Sequence, residues 1–141
     1  MTSQQISVHF KNQLSEIERL GQIVAEFAAW HHLPAQVVFE VNLALEEILT
    51  NVISYAYADS KEHQILVTLA LTEGELTAEV EDDGRPFDPT EASEPDTGTP
   101  LEERRVGGLG IHLARKLMDD LAYQRQPDKN LLVMTKKIEE G

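Results

Sequence analysis

A two-layer α+β sandwich, a mixed or antiparallel sheet covered on one face by three helices, is the fold class this sequence predicts. Three observations predict it. Apolar and polar residues alternate in short runs near the N-terminus, from His63 to Asp82 and from Leu121 to Ile138, the period-two pattern of half-buried strands. Apolar residues recur at intervals of three and four in longer runs after Ser15, Pro34 and Gly110, which is helical spacing. The chain has 141 residues, 41% of them hydrophobic, enough for one real core and too few for a second. Residues 1–141 are therefore expected to form a single domain.

In chain order, Ile6, Val8 and Phe10 alternate with polar neighbours and predict a half-buried first strand. Ser15 with Glu18 fits a capping box, opening a helix through Trp30 whose face is Ile17, Leu20, Val24 and Phe27. His31 and His32 point apart if helical and have no carboxylate at ligand spacing, so they read as a helix end favoured by the dipole, not a metal site. Pro34 suits a first helical turn and opens a long amphipathic helix over Pro34 to Asp59, with Val38, Val41, Leu45, Ile48, Leu49 and Val52 on its apolar side. His63 to Thr72 and Glu75 to Asp82 read as strands joined at a tight turn, Glu73-Gly74. The acidic, Pro- and Thr-rich run from Asp88 to Glu103 has little to bury and predicts a loop. Glycines then precede a third helix with Ile111, Leu113, Ala114, Leu117 and Met118 apolar. Leu121 to Gln126 and Leu131 to Ile138 close a second hairpin around Pro127 to Asn130. Trp30 is expected in the core or at a dimer contact, and Tyr55 and Tyr57 as packing residues.

The formal net charge of −13 argues against nucleic-acid binding, because phosphate backbones are held by clusters of lysine and arginine. It favours soluble partners with basic surfaces. Without cysteine, neither a disulfide framework nor a thiolate metal site can form. The opening MTSQQISVHF lacks the basic start and apolar core of a signal peptide, and no run approaches a membrane span. A cytoplasmic address is the expectation.

Three segments carry chemistry. On the second helix Glu47 and Asn51 are four residues apart, so a carboxylate and a neutral oxygen donor share a face one turn apart. Such a pair suits phosphate chemistry with Mg²⁺: the amide oxygen is a hard-cation ligand and the carboxylate a proton acceptor. With Glu46, Thr50 and Ser54 the same residues also fit a solvated polar face. Glu46 faces about 100° away from Glu47 on an α-helix, so Glu47 is the preferred base. Asp82 ends a strand and can accept a hydrogen bond from a base amino group, while Gly84 allows a sharp turn through its tolerance of positive φ. Gly107, Gly108 and Gly110 stand before the third helix, whose unpaired amides can meet phosphate oxygens.

In order, ExxxN (Glu47 to Asn51), DxGxxF (Asp82 to Phe87) and GGLG (Gly107, Gly108, Leu109, Gly110) resemble the three motifs of the Bergerat-fold (GHKL) ATPases, the superfamily of gyrase and the histidine kinases. Within it, EEILTNVISYAY, VEDDGRPFDP and GGLGIHLARKLMD look most like the bacterial anti-sigma-factor serine kinases, over nearly the whole chain. The resemblance implies ATP and Mg²⁺ as cofactors, Glu47 as general base, Asn51 as Mg²⁺ ligand and Asp82 on the adenine amino group. It implies that Gly84 and Phe87 shape the adenine turn and that Gly107 to Gly110 wrap the phosphates, with residues 88–106 as the ATP lid. Some members carry an arginine directly before the GGLG segment; here Val106 stands there, and Arg105, with Arg104, is the candidate for the γ-phosphate. Members often place a threonine in the strand under the adenine, for which Thr135 is the candidate.

The function so implied is an ATP-dependent serine kinase and anti-sigma factor. It phosphorylates an anti-anti-sigma (STAS-type) partner, sequesters a sigma factor and acts as a homodimer. A nucleotide-gated binding module without catalysis, and an ATPase attacked by water, are the rival expectations.

Overall fold

The computed structural model describes residues 4–57, 59, 61–86 and 114–138. Five strands and two long helices follow in the order β1 (Gln4–Lys11), α1 (Glu16–Trp30), α2 (Ala35–Tyr55), β2 (Gln64–Thr72), β3 (Glu75–Asp82), β4 (Asp120–Gln126) and β5 (Lys129–Lys137). A helical turn over 114–117 is the described part of the expected third helix. The strands form one sheet in the order β1-β2-β3-β5-β4, and every pairing is antiparallel, which settles the mixed-or-antiparallel alternative.

Register sorts the side chains into two faces. Ile6 opposite Leu69, Val67 opposite Val80, Ala78 opposite Met134 and Val80 opposite Leu132 place the buried positions of four strands on the face that meets the helices. Ser7, Thr68, Glu79, Val133 and Thr135 lie on the other. α2 is the central helix: Val41, Ala44, Leu45, Ile48 and Leu49 are each at most 2% exposed, and α1 adds Leu20, Val24 and Phe27 to the same cluster. Among the described residues no helix is long and apolar enough to cross a membrane.

Several expectations change at the element ends. The Ser15 capping box does not form: Ser15 is itself helical at φ −61°, ψ −18° and makes no side-chain cap bond. The glutamate that acts there is Glu16, whose Oε1 accepts from the Lys11 amide at 2.8 Å and ties α1 to β1. α1 stops where His31 donates its amide to Phe27 O and His32 takes a left-handed φ of 54°. Trp30, expected in the core or at a dimer contact, is 81% exposed in the chain. α2 ends at Tyr55 instead of continuing to Asp59. Arg85 explains the stop: its amide donates to Ala56 O at 2.9 Å and its Nε to Tyr55 O at 2.8 Å, satisfying carbonyls that a longer helix would have used.

Candidate functional site

The C-terminal half of α2 lies over the ends of β3 and β5, and a cleft opens between them. Its walls are Ile48, Asn51, Val52 and Ala56 from α2, Val80 and Asp82 from β3, Tyr123 from β4, and Asn130 and Leu132 from β5. The cleft is partly open to solvent. Aliphatic side chains line most of it, and Asp82, Asn130 and Tyr123 form one hydrogen-bonded polar end, an arrangement suited to a flat heteroaromatic ring that must be both desolvated and oriented.

Asp82 sets that polar end. It is 5% exposed, and its Oδ1 accepts from the Gly84 amide and from Asn130 Nδ2, each at 2.9 Å. Burial pushes its carboxyl above the usual carboxylate range, the two donated hydrogen bonds oppose that, and the neighbouring Asp83 adds to it. Gly84 is required here for a reason other than the one read from sequence. Among the described glycines only Gly74 has a positive φ. A Cβ on Gly84 would instead sit 2.5 Å from Ala56 O and 2.7 Å from Ala56 Cβ, so the absence of a side chain lets the turn close onto the end of α2. Beside the cleft, Tyr57 stacks on His63 with ring centroids 4.1 Å apart, and His63 Nε2 and Nδ1 lie 2.8 Å and 3.4 Å from Asp59 and Asp83.

Glu47 and Asn51 stand one turn apart on α2, as their spacing requires. Asn51 is 5% exposed and in the cleft wall. Glu47 Oε2 is a buried oxygen with no hydrogen-bond partner among the described residues. Burial first, and the charge of Glu46 second, push the Glu47 carboxyl above its ordinary value. An orphaned, desolvated carboxylate oxygen is costly for stability, and such groups concentrate where proton transfer is needed.

The structure thus brings Asn51, Asp82 and Gly84 together and sets Glu47 one turn from Asn51. It separates Thr135 from them. Met134 is fully buried on the helix-facing side of β5, so Thr135, the next residue, points to the opposite face, where it pairs with Thr77. The β5 residues at the cleft are Asn130 and Leu132. Phe87, Arg105, Gly107, Gly108, Leu109, Gly110 and the expected lid lie outside the described residues. Asn130 and Tyr123 line the cleft and Arg125 donates to Asn130 and to Gly84 O beside it; all three escaped sequence reasoning, which assigned Asn130 to a turn. The pairing of Asp82 with Asn130 across β3 and β5 is the signal that finds it, and it exists only once the register is known.

Whether these residues fit an adenine nucleotide can be tested on the donor set itself. An apolar slot ending in a fixed carboxylate, with a carboxylate oxygen unpartnered among the described residues one turn from a buried amide, fits a purine at one end and phosphoryl chemistry at the other. Among the described residues no group of three or more His, Asp or Glu could hold a metal ion.

Residues 10–136 match the model of the family described as histidine kinase-like ATPase domain. The chain is 34% identical over 101 residues to the serine/threonine-protein kinase BtrW of Bordetella bronchiseptica, covering 72% of this chain and 71% of that protein. It is 31% identical to the serine-protein kinase RsbW of Listeria monocytogenes, over 74% of this chain and 69% of the relative. With the anti-sigma F factor of Caldanaerobacter subterraneus it shares 34% identity, over 82% and 81% of the two chains. Among solved structures, the RsbU and RsbW domains of Rv1364c from Mycobacterium tuberculosis superpose with a TM-score of 0.72 at 14% identity. That match covers 98% of this chain and 33% of the larger one, and it speaks to the fold alone.

Proposed function

Because this chain belongs to the histidine kinase-like ATPase domain family, we propose that it is an ATP-dependent serine protein kinase that doubles as an anti-sigma factor. It phosphorylates a serine on an anti-anti-sigma partner and, in the alternative complex, sequesters a sigma factor. One observation carries the catalytic half of this reading: Oε2 of Glu47, without a partner among the described residues and with a raised carboxyl pKa, stands one helical turn from Asn51 in the cleft wall.

In this mechanism Asp82 accepts a hydrogen bond from the adenine amino group, and Ile48, Val52, Ala56, Val80 and Leu132 desolvate the ring. For residues outside the described ones, the motif order supports Phe87 beside the adenine turn, Arg105 for the γ-phosphate, and the backbone of Gly107, Gly108, Leu109 and Gly110 for the phosphate oxygens. Asn51 would hold Mg²⁺, which when bound neutralises charge developing on the transferred group. Glu47 takes the proton of the partner's serine hydroxyl as that oxygen bonds to the γ-phosphorus; the bond to the β,γ-bridging oxygen breaks and ADP departs. The phosphoserine carries new negative charge, and its release is favoured by the −13 charge of the kinase. The surface thus freed is available to the sigma factor. The working form we propose is a cytoplasmic homodimer, on the strength of the family resemblance.

The test is transfer of label from γ-³²P-ATP to a serine of the cognate anti-anti-sigma protein. Labelled partner is expected. Unlabelled partner with nucleotide still bound overturns the kinase reading, and a partner affinity that responds to nucleotide without turnover would mark a nucleotide-gated binding module instead.

A further inference from the structure

Asn130 uses every polar group of its side chain at the floor of the cleft. Its Nδ2 donates to Asp82 Oδ1 at 2.9 Å and to the backbone oxygen of Arg85 at 2.8 Å. Its Oδ1 accepts from the Tyr123 hydroxyl and, at 3.2 Å, from Arg125 Nη1. Arg125 Nη1 also donates to Gly84 O at 2.9 Å. A carboxamide offers two N–H donors and two acceptor sites, so this side chain is saturated. A guanidinium can only donate, which fixes the orientation: the amide oxygen must face Arg125 and the amide nitrogen must face Asp82. At 4% exposure there is no water-facing alternative.

We infer that Asn130 sets the base specificity of the cleft: by holding Asp82 Oδ1 with a donor that cannot turn, it keeps this carboxyl an acceptor toward the ring. The cleft then selects a purine bearing an amino group at C6 over one bearing an oxo group at C6. The inference rests on the adenine-nucleotide reading of the cleft and adds a positioning residue to it. The physics is a competition over one proton. Burial favours the neutral acid form of Asp82, the Asp83 charge favours it too, and the hydrogen bonds from Asn130 and Gly84 and the charge of Arg125 oppose it. Tyr57, kept protonated by burial and by the Asp82 and Asp83 charges, brings no further charge. A neutral Asp82 could donate to an oxo group; an ionised one can only accept.

The experiment is calorimetric titration of the wild-type chain, Asn130→Leu and Asn130→Asp with ATP and with GTP, from about pH 5 to about pH 8, the range in which shifted carboxyls titrate. Folding of each variant is checked by circular dichroism and thermal melting. Wild type should prefer ATP. In Asn130→Leu the ATP-to-GTP preference should fall by about tenfold or more, as for a polar group left without its partner, and the acid limit of ATP binding should move to higher pH. Asn130→Asp, of the same size but without the donor, should move both readouts the same way. If Asn130→Leu does not fold, Tyr123→Phe, which removes one of the two donors to Oδ1, should lower the preference by a smaller factor. A folded variant that keeps both the preference and the acid limit overturns the role of Asn130, as does a wild type with no preference. Wild-type protein that binds neither nucleotide overturns the adenine reading beneath it.

Discussion

Glu47 and Glu46 are adjacent in sequence and unequal in environment. Glu47 has a buried oxygen without a partner among the described residues and a carboxyl raised by burial and by Glu46, while the proposed base function needs it ionised. Glu47→Gln should cut serine phosphorylation by about 10²–10⁴-fold with ATP affinity nearly kept, the usual worth of a positioned general base. Glu46→Gln should retain transfer. Removing its negative charge lowers the Glu47 pKa, so the acidic limb of the rate profile should move to lower pH, which a pH series of initial rates reads directly. Gly84 offers a second residue-scale test. Gly84→Ala places a methyl 2.5 Å from a backbone oxygen that has no flexible side chain to yield, so α2 or the turn must move. The cost should be about 1–3 kcal/mol in a denaturant melt, with weaker ATP binding because Asp82 accepts from the Gly84 amide.

Elements were legible in sequence where a local period governs them, and less so where a distant contact does. β3 runs over the same residues, Glu75–Asp82, that alternation predicts, and the apolar face read for α2 is the one buried against the sheet. The end of α2 was overrun because Ala56 to Asp59 carry no helix breaker; what stops the helix is Arg85, thirty positions on from Tyr55. The site divides in the same way. Glu47, Asn51 and Asp82 follow from spacing on single elements, whereas Asn130 depends on the register of β5 against β3 and Thr135 failed on which side of β5 it faces. Lys136 shows how far such ties reach. From β5 its Nζ meets Glu40 of α2 at 3.2 Å and donates to Leu117 O at 2.6 Å, with both charged side chains under one-fifth exposed. Lys136→Met should destabilise by roughly 1–3 kcal/mol, because a largely buried carboxylate and a carbonyl lose their partner. Lys136→Met with Glu40→Gln should cost less than the sum of the two, and a strictly additive cycle would show that the contact contributes nothing.

At the scale of the whole molecule, the cleft is assembled from the elements that also form the core. Ile48, Val52, Ala56, Val80 and Leu132 belong both to its walls and to the hydrophobic cluster, and β3, β5, β4 and α2 all contribute to it. Unfolding of this sheet therefore destroys the cleft, and a ligand of the native cleft must stabilise the whole cooperative unit. ATP at about one hundred times its Kd should add about 2.7 kcal/mol to the free energy of unfolding, and the melting temperature should climb as nucleotide is added. The variants separate binding from chemistry in this assay. Glu47→Gln should keep the full shift, since its side chain acts on the serine proton and not on the base. Gly84→Ala should lose much of it, since Asp82 would no longer be held in place. A melting temperature that ignores ATP in the wild-type chain would dissociate the core from the cleft and remove the nucleotide from this account of the fold.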